Sequence, residues 1–127
     1  MSSVLTAKMQ KVAKSFLYAF QGILTAVRAE RNMKIHVCMT VIVLLVGLWL
    51  RLSAVEWLFI LLAICGVIAL ELINTAIERV VDLVTGEYHP LAKQAKDTAA
   101  GAVLVYAFLS VVIGLIIFVP KLLKMVS

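Results

Sequence analysis

The chain has 127 residues, of which 64% are apolar, and a mean hydropathy of +1.09. Soluble domains are only about 45–50% apolar, and one this short buries too little of its own surface to hide the excess. A single domain whose solvent is largely lipid follows, and with it the exclusion of an ordinary soluble enzyme. The net charge of +5 is clustered by position. Lys8, Lys11, Lys14, Arg28, Arg31 and Lys34 all precede the first apolar run, which suits an anionic headgroup layer and not a nucleic acid.

Residues 4–29 carry apolar side chains at spacings of three and four: Leu5, Met9, Val12, Phe16, Phe20, Ile23 and Val27. Their lysines lie mostly off that stripe, so an amphipathic helix lying on the membrane surface is expected. The segment does not read as a secretory signal, which needs an early apolar core and a small-residue cleavage site, and neither end carries a lipidation motif. Three apolar runs follow, predicting membrane helices over 35–50, 55–85 and 97–120. The first is short against the roughly 20 residues that cross a hydrocarbon core. The second continues in helical register past its charges until Gly86 and Pro90 suggest a stop. Glu87–Gln94 reads as a loop, and the third run holds no charge from Ala99 until Pro120 and the lysines beyond it. The basic residues divide nine against three if the N-terminus and the 79–97 region share one side, which the positive-inside rule makes the cytoplasm. Cys38 and Cys65 lie in apolar runs without metal-ligand spacing and are expected to be buried thiols.

The segment Glu71-Leu-Ile-Asn74-Thr-Ala-Ile-Glu78-Arg-Val-Val-Asp82 carries the chemistry. Its polar members are spaced 3, 4 and 4, which gathers them within roughly 80° of one helix face. An acidic residue deep in a bilayer is disfavoured by about 2.5–3.5 kcal/mol. Interhelical hydrogen bonding returns only about 0.6–2 kcal/mol per contact, and three carboxylates supply acceptors without donors. Helix adhesion alone therefore explains the stripe poorly. Glu30, at the entrance to the first run, is a second carboxylate at the level of Glu78, a pair that suits Mg²⁺. Lys96 and Asp97 open the third run, where a helix N-terminus and a lysine favour phosphate; Asp97 reads equally as a helix cap. No Walker A loop, dinucleotide loop or zinc spacing is present, and His36 and His89 stand alone.

These motifs, with Glu87-Tyr88-His89 and Ala95-Lys96-Asp97, resemble the prokaryotic diacylglycerol kinase family over about residues 11–123. Glu30-Arg31-Asn32 with His36, and His89-Pro90-Leu91-Ala92-Lys93 with Ala99-Ala100-Gly101-Ala102, are similar to the Gram-positive branch, which phosphorylates undecaprenol. The resemblance implies an all-α integral membrane fold, one surface helix plus three transmembrane helices per subunit. It also implies a homotrimer with sites shared between subunits in the bacterial cell membrane, its N-terminus and active site cytoplasmic. ATP is the implied co-substrate and Mg²⁺ the implied metal. By position, Glu71 becomes the proton acceptor and Glu30 and Glu78 the metal ligands. Tyr18, Glu87, Tyr88, His89, Lys96 and Asp97, together with Glu30 and Glu78, become nucleotide contacts, and Asn74 and Asp82 support the stripe. Lys11, His36, Glu71 and Ala100 face the lipid. His36 stands where the diacylglycerol branch has an acidic residue and Ala100 where it has a serine, departures that bear on the lipid more than on the reaction. Diacylglycerol is the alternative substrate. A proton-coupled transporter or helper subunit is the competing class, but it leaves the Lys96 region and the charge-free third run without a role.

Overall fold

The computed structural model describes residues 2–126. Among these the chain forms four helices: α1 (Ser2–Ala29), α2 (Arg31–Trp49), α3 (Ala54–Val84) and α4 (Pro90–Val126). The last three are each long and apolar enough to cross a membrane. At 1.5 Å per residue, α2 is about 28 Å long, α3 about 46 Å and α4 about 55 Å, against a hydrocarbon core of about 30 Å. The longer two therefore have polar ends to spare.

Glu30 separates α1 from α2. Its backbone is extended (φ −94°, ψ 127°), its N–H donates to the Ala26 carbonyl at 2.9 Å, and its own carbonyl accepts from Lys34 at 3.2 Å. One residue thus ends a helix and begins the next. Four residues, Leu50–Ser53, turn the chain into α3; Arg51 takes the left-handed conformation there (φ 51°). Ser53 and Glu56 then form a reciprocal cap, the Ser53 N–H donating to Glu56 Oε2 at 2.7 Å and the Glu56 N–H to Ser53 Oγ at 3.3 Å. At that same end Lys121 Nζ lies 3.1 Å from Glu56 Oε2, joining the tail of α4 to the head of α3.

The most extensive packing is between α3 and α4. It rests on a close approach at Gly66, where a Cβ would stand 2.1 Å from the Tyr106 ring. The ring lies across α3, and its hydroxyl donates to the Leu62 carbonyl at 3.1 Å. One turn on, Ser110 Oγ approaches the Ala63 carbonyl to 3.3 Å. Toward the Arg51 end, Leu52, Ile60 and Ile117 are buried together, with Val43, Trp57 and Phe118 packed around them.

Several boundaries differ from the sequence reading. The third apolar helix begins at Pro90, not 97, and runs on to Val126 instead of ending at 120. Proline suits a first helical position because the N–H it lacks would be unpaired there; the next amide, Leu91 N–H, donates to His89 Nδ1 at 3.2 Å. Pro120 removes one backbone bond near the far end, and the last two turns persist beyond it. The first helix of the bundle starts at Arg31, so residues 31–34 supply the length that 35–50 lacks. Gly86 does not supply a left-handed stop: α3 ends in extended Thr85 (φ −147°, ψ 127°), whose N–H still reaches the Val81 carbonyl. The cysteines are free and exposed on this chain, not buried, because both lie on helix faces that α2 and α3 turn away from their neighbours.

The accessible surface is 9543 Å², whereas a compact soluble monomer of this mass exposes about 6,700 Å². Leucines, valines and phenylalanines along all four helices make up much of the excess. That surface has no stable place in water.

Candidate active site

The acidic face of α3 is graded in depth. Glu71 is 3% exposed, Asn74 6% and Thr75 4%, Glu78 is half-buried, and Asp82 is exposed. The residues between them on the helix, such as Ile73 and Val80, are turned outward. The stripe therefore faces the other helices, where Ala26, Met33, Ala99 and Val103 are also buried.

Asn74 Nδ2 donates to Glu78 Oε1 at 3.0 Å, which fixes the orientation of that carboxylate along the helix. Glu30 reaches α3 from the α1–α2 junction, its carboxylate 3.8 Å from Arg79 Nη2. Arg79 was not a candidate from sequence; its place directly after Glu78, on the side toward α1, is the signal that marks it. Glu71 lies within electrostatic reach of His36, Glu78 and Glu30. Four of the expected site residues, from three parts of the chain, are thus brought together: Glu30, His36, Glu71 and Glu78.

On α4, Lys96 bonds Asp82 and also lies in the field of Glu78. Its cationic head is therefore held beside the exposed end of the stripe. It does not sit at a helix N-terminus, as the sequence reading had it, because α4 begins two turns earlier. Asp97 is for the same reason not a cap; it pairs with Lys93 one turn back. Ala100 is exposed on the same helix.

The remaining candidates stand apart. Glu87, Tyr88 and His89 form the short connection before α4, with Tyr88 81% exposed. Thr85 Oγ1 accepts the Glu87 N–H at 3.3 Å and shapes that turn. Tyr18 and Lys11 are exposed on α1. Among the described residues, no hydrogen bond or ion pair joins the side chains of Lys11, Tyr18, Glu87 or Tyr88 to the stripe. Thr75 was missed by the sequence reading: a threonine among apolar neighbours attracts no notice until its burial beside Glu71 and Asn74 is seen.

A cleft of about 350 Å³ runs between α2, α3 and α4. Its walls are apolar, with Ile60 and Phe118 toward one end and His36 and Ile68 toward the other. Ile68 lies about one turn from Glu71 on α3, so this end of the cleft is the one toward the buried carboxylate.

No group of three or more His, Cys, Asp or Glu side chains able to hold a metal occurs among the described residues. A divalent cation that takes one or two carboxylates and completes its shell with phosphate oxygens and water needs no such group. Among the described residues Glu30 is held by the long Arg79 contact through Oε1 and Glu78 accepts from Asn74 through Oε1, so each has a second oxygen with no such bond there. The donor set fits Mg²⁺ bound together with a phosphate compound.

The chain is similar to known proteins over most of its length. The sequence profile of the prokaryotic diacylglycerol kinases matches residues 17–118. The undecaprenol kinase of Bacillus subtilis is 50% identical over 115 residues, covering 91% of this chain and 94% of that protein. A diacylglycerol kinase of Synechocystis is 45% identical over 112 residues, covering 87% of this chain and 64% of the relative. The diacylglycerol kinase of Escherichia coli is 27% identical over 107 residues, 84% of this chain and 88% of the relative. With the profile matching more than half of the chain and a relative half identical to it over nine-tenths of its length, this protein belongs to the prokaryotic diacylglycerol kinase family.

Proposed function

We propose that the protein transfers the γ-phosphoryl group of ATP to the hydroxyl of undecaprenol at the inner face of the bacterial cell membrane. The observation that carries the reading is a buried carboxylate, Glu71, about one helical turn along α3 from Ile68 in the wall of an apolar cleft. The head end of a polyprenyl chain would occupy the cleft, with the rest of the chain in the bilayer, and its hydroxyl would then be directed toward Glu71. The undecaprenol kinase of Bacillus subtilis, half identical to this chain, supports the choice of lipid.

Glu71 takes the alcohol proton as the alcohol oxygen bonds to the γ-phosphorus. The bond from phosphorus to the β–γ bridging oxygen breaks, and ADP leaves with that electron pair. Glu30 and Glu78 would hold Mg²⁺, which supplies charge neutralisation on the phosphate oxygens when bound. Lys96, kept at the stripe by Asp82, adds a fixed positive charge for the nucleotide phosphates. Asn74 holds Glu78 in place. Tyr18, Glu87, Tyr88, His89 and Asp97 are proposed to complete the nucleotide site, and Lys11, His36 and Ala100 the lipid site. Because Lys11, Tyr18, Glu87 and Tyr88 lie away from the stripe within one chain, a homotrimer that shares sites between subunits is part of the reading. The basic residues of α1 then rest on the inner headgroup layer.

Phosphate transfer from labelled ATP in mixed micelles, with undecaprenol and diacylglycerol offered separately, tests the proposal. Faster Mg²⁺-dependent labelling of undecaprenol is expected. Preference for diacylglycerol, the substrate named for other relatives, would overturn the lipid and keep the reaction; labelling of neither would overturn both.

A further inference from the structure

Thr75 has no part in the mechanism above, yet it is 4% exposed and its Oγ1 has no hydrogen-bond partner. The adjacent Asn74 Oδ1 is equally buried and equally unpartnered. Leaving a buried polar atom unpaired is costly, and helical hydroxyls have a simple local remedy: they donate to the carbonyl four residues back. Ser15, Thr25, Thr40 and Ser110 all do this. Thr75 has the same option in the Glu71 carbonyl and does not use it. It also lies one turn from the Glu71 carboxylate on the same helix face and is not bonded to that group either. Its partner is therefore not supplied by its own helix.

Position along α3 indicates what that partner is. With about 1.5 Å of rise per residue, Thr75 stands about 6 Å beyond Glu71 and about 4.5 Å short of Glu78. In the proposed reaction the alcohol is deprotonated at the first level and the phosphates are neutralised at the second. The transferring phosphoryl group passes between them. The stripe around it offers chiefly acceptors: the Glu71, Glu78 and Asp82 carboxylates and Asn74 Oδ1, while the Asn74 amide group is engaged with Glu78. Phosphoryl oxygens only accept hydrogen bonds, so this face needs a donor at this level. The Thr75 hydroxyl is one.

We propose that Thr75 is a further catalytic residue that donates its hydroxyl hydrogen to an oxygen of the transferring phosphoryl group. The proposal rests on the lipid-kinase reading. Thr75 keeps its own proton throughout: the alcohol proton goes to Glu71, the new bond joins the alcohol oxygen to the γ-phosphorus, and ADP departs with the electron pair of the broken bond. The contribution of Thr75 is a hydrogen bond that strengthens as charge collects on the phosphoryl oxygens, which raises kcat rather than ground-state affinity.

The test compares wild type, Thr75→Val and Thr75→Ser in mixed micelles containing undecaprenol and Mg-ATP, with the thermal midpoint of each unliganded protein measured in parallel. Valine preserves the shape and removes the donor, so Thr75→Val should lose about 10- to 100-fold in kcat, with both KM values within about twofold of wild type. Thr75→Ser should keep kcat within about threefold. The unliganded Thr75→Val protein should melt no lower than wild type, because an unpaired buried hydroxyl has been replaced by a methyl group. Wild-type kcat in Thr75→Val would overturn the proposal. So would a lowered melting midpoint together with activity that serine fails to restore, since both would assign Thr75 to packing within or between subunits. Absence of phosphate transfer by wild type to any lipid alcohol would instead overturn the kinase reading itself, and that outcome is visible without any variant.

Discussion

The Glu71→Gln variant retains the side-chain shape and hydrogen-bonding reach and removes the proton-accepting charge. Positioned acid–base groups contribute about 10²–10⁴-fold, so phosphate transfer should fall by at least about 100-fold while ATP binding, measured by equilibrium dialysis, is retained. Equal loss of both would count against Glu71 as the base. Lys96→Met should behave differently. The Lys96–Asp82 pair is on the exposed end of the stripe, where ion pairs add little stability. The melting midpoint should therefore move little, and the KM for ATP should rise about tenfold or more through the lost phosphate contact. At this scale the sequence was most legible where charge conflicts with environment. Glu71 and Glu78 stand out because carboxylates on an apolar helix are costly, and their spacing alone puts them on one face. Thr75 and Arg79 did not stand out. Threonine is common in membrane helices as a self-satisfied hydroxyl, and whether it is satisfied depends on a rotamer, which spacing does not encode. Arg79 reads as one more boundary cation until its contact with Glu30 gives it a direction.

Helices α3 and α4 hold together through a contact that permits little substitution. Gly66→Ala would place a methyl group 2.1 Å from ring atoms of Tyr106, so the ring must swing away and surrender its bond to Leu62. Overpacking of this kind costs about 1–3 kcal/mol. Tyr106→Phe removes the hydrogen bond without the clash, and interhelical bonds in membranes average about 0.6 kcal/mol. Unfolding in mixed micelles should rank the stabilities as wild type, then Tyr106→Phe, then Gly66→Ala; a Gly66→Ala protein as stable as wild type would mean that the close approach is not essential. The number and order of helices were readable because apolar runs and turn residues are strong signals. The ends of α4 were not. Proline was read as a boundary in both places, but at position 90 it begins the helix and at 120 it interrupts one bond within it. Which of these occurs depends on the capping by His89 and on whether the following turns find support, here the Lys121–Glu56 pair.

The whole chain exposes 9543 Å², much of it aliphatic, and several candidate nucleotide contacts, Tyr18, Glu87 and Tyr88, form no hydrogen bond or ion pair with the carboxylate stripe among the described residues. The proposed homotrimer, with the 85–89 connection of one subunit near the stripe of another, would account for both. Cross-linking in native-like lipid should yield trimers, with monomers inactive; an active preparation containing only monomers would overturn shared sites. Composition reports how much surface needs covering, which leads to the expectation of an oligomer, and not what covers it; the expectation of a trimer rests on resemblance. The break at Glu30 carries a mechanical consequence of its own. The α3–α4 pair is fixed in rotation by Tyr106 across Gly66, whereas α1 extends about 42 Å from a single extended residue. Glu30 is therefore the fulcrum of a long lever, and the same residue carries the carboxylate proposed to hold the metal. A tilt of the lever would act on Glu30 and on its 3.8 Å contact with Arg79. Turnover should accordingly respond to the lateral pressure of the surrounding lipid; measured in vesicles of graded packing density, it would show whether the membrane acts on the carboxylate proposed to hold the metal.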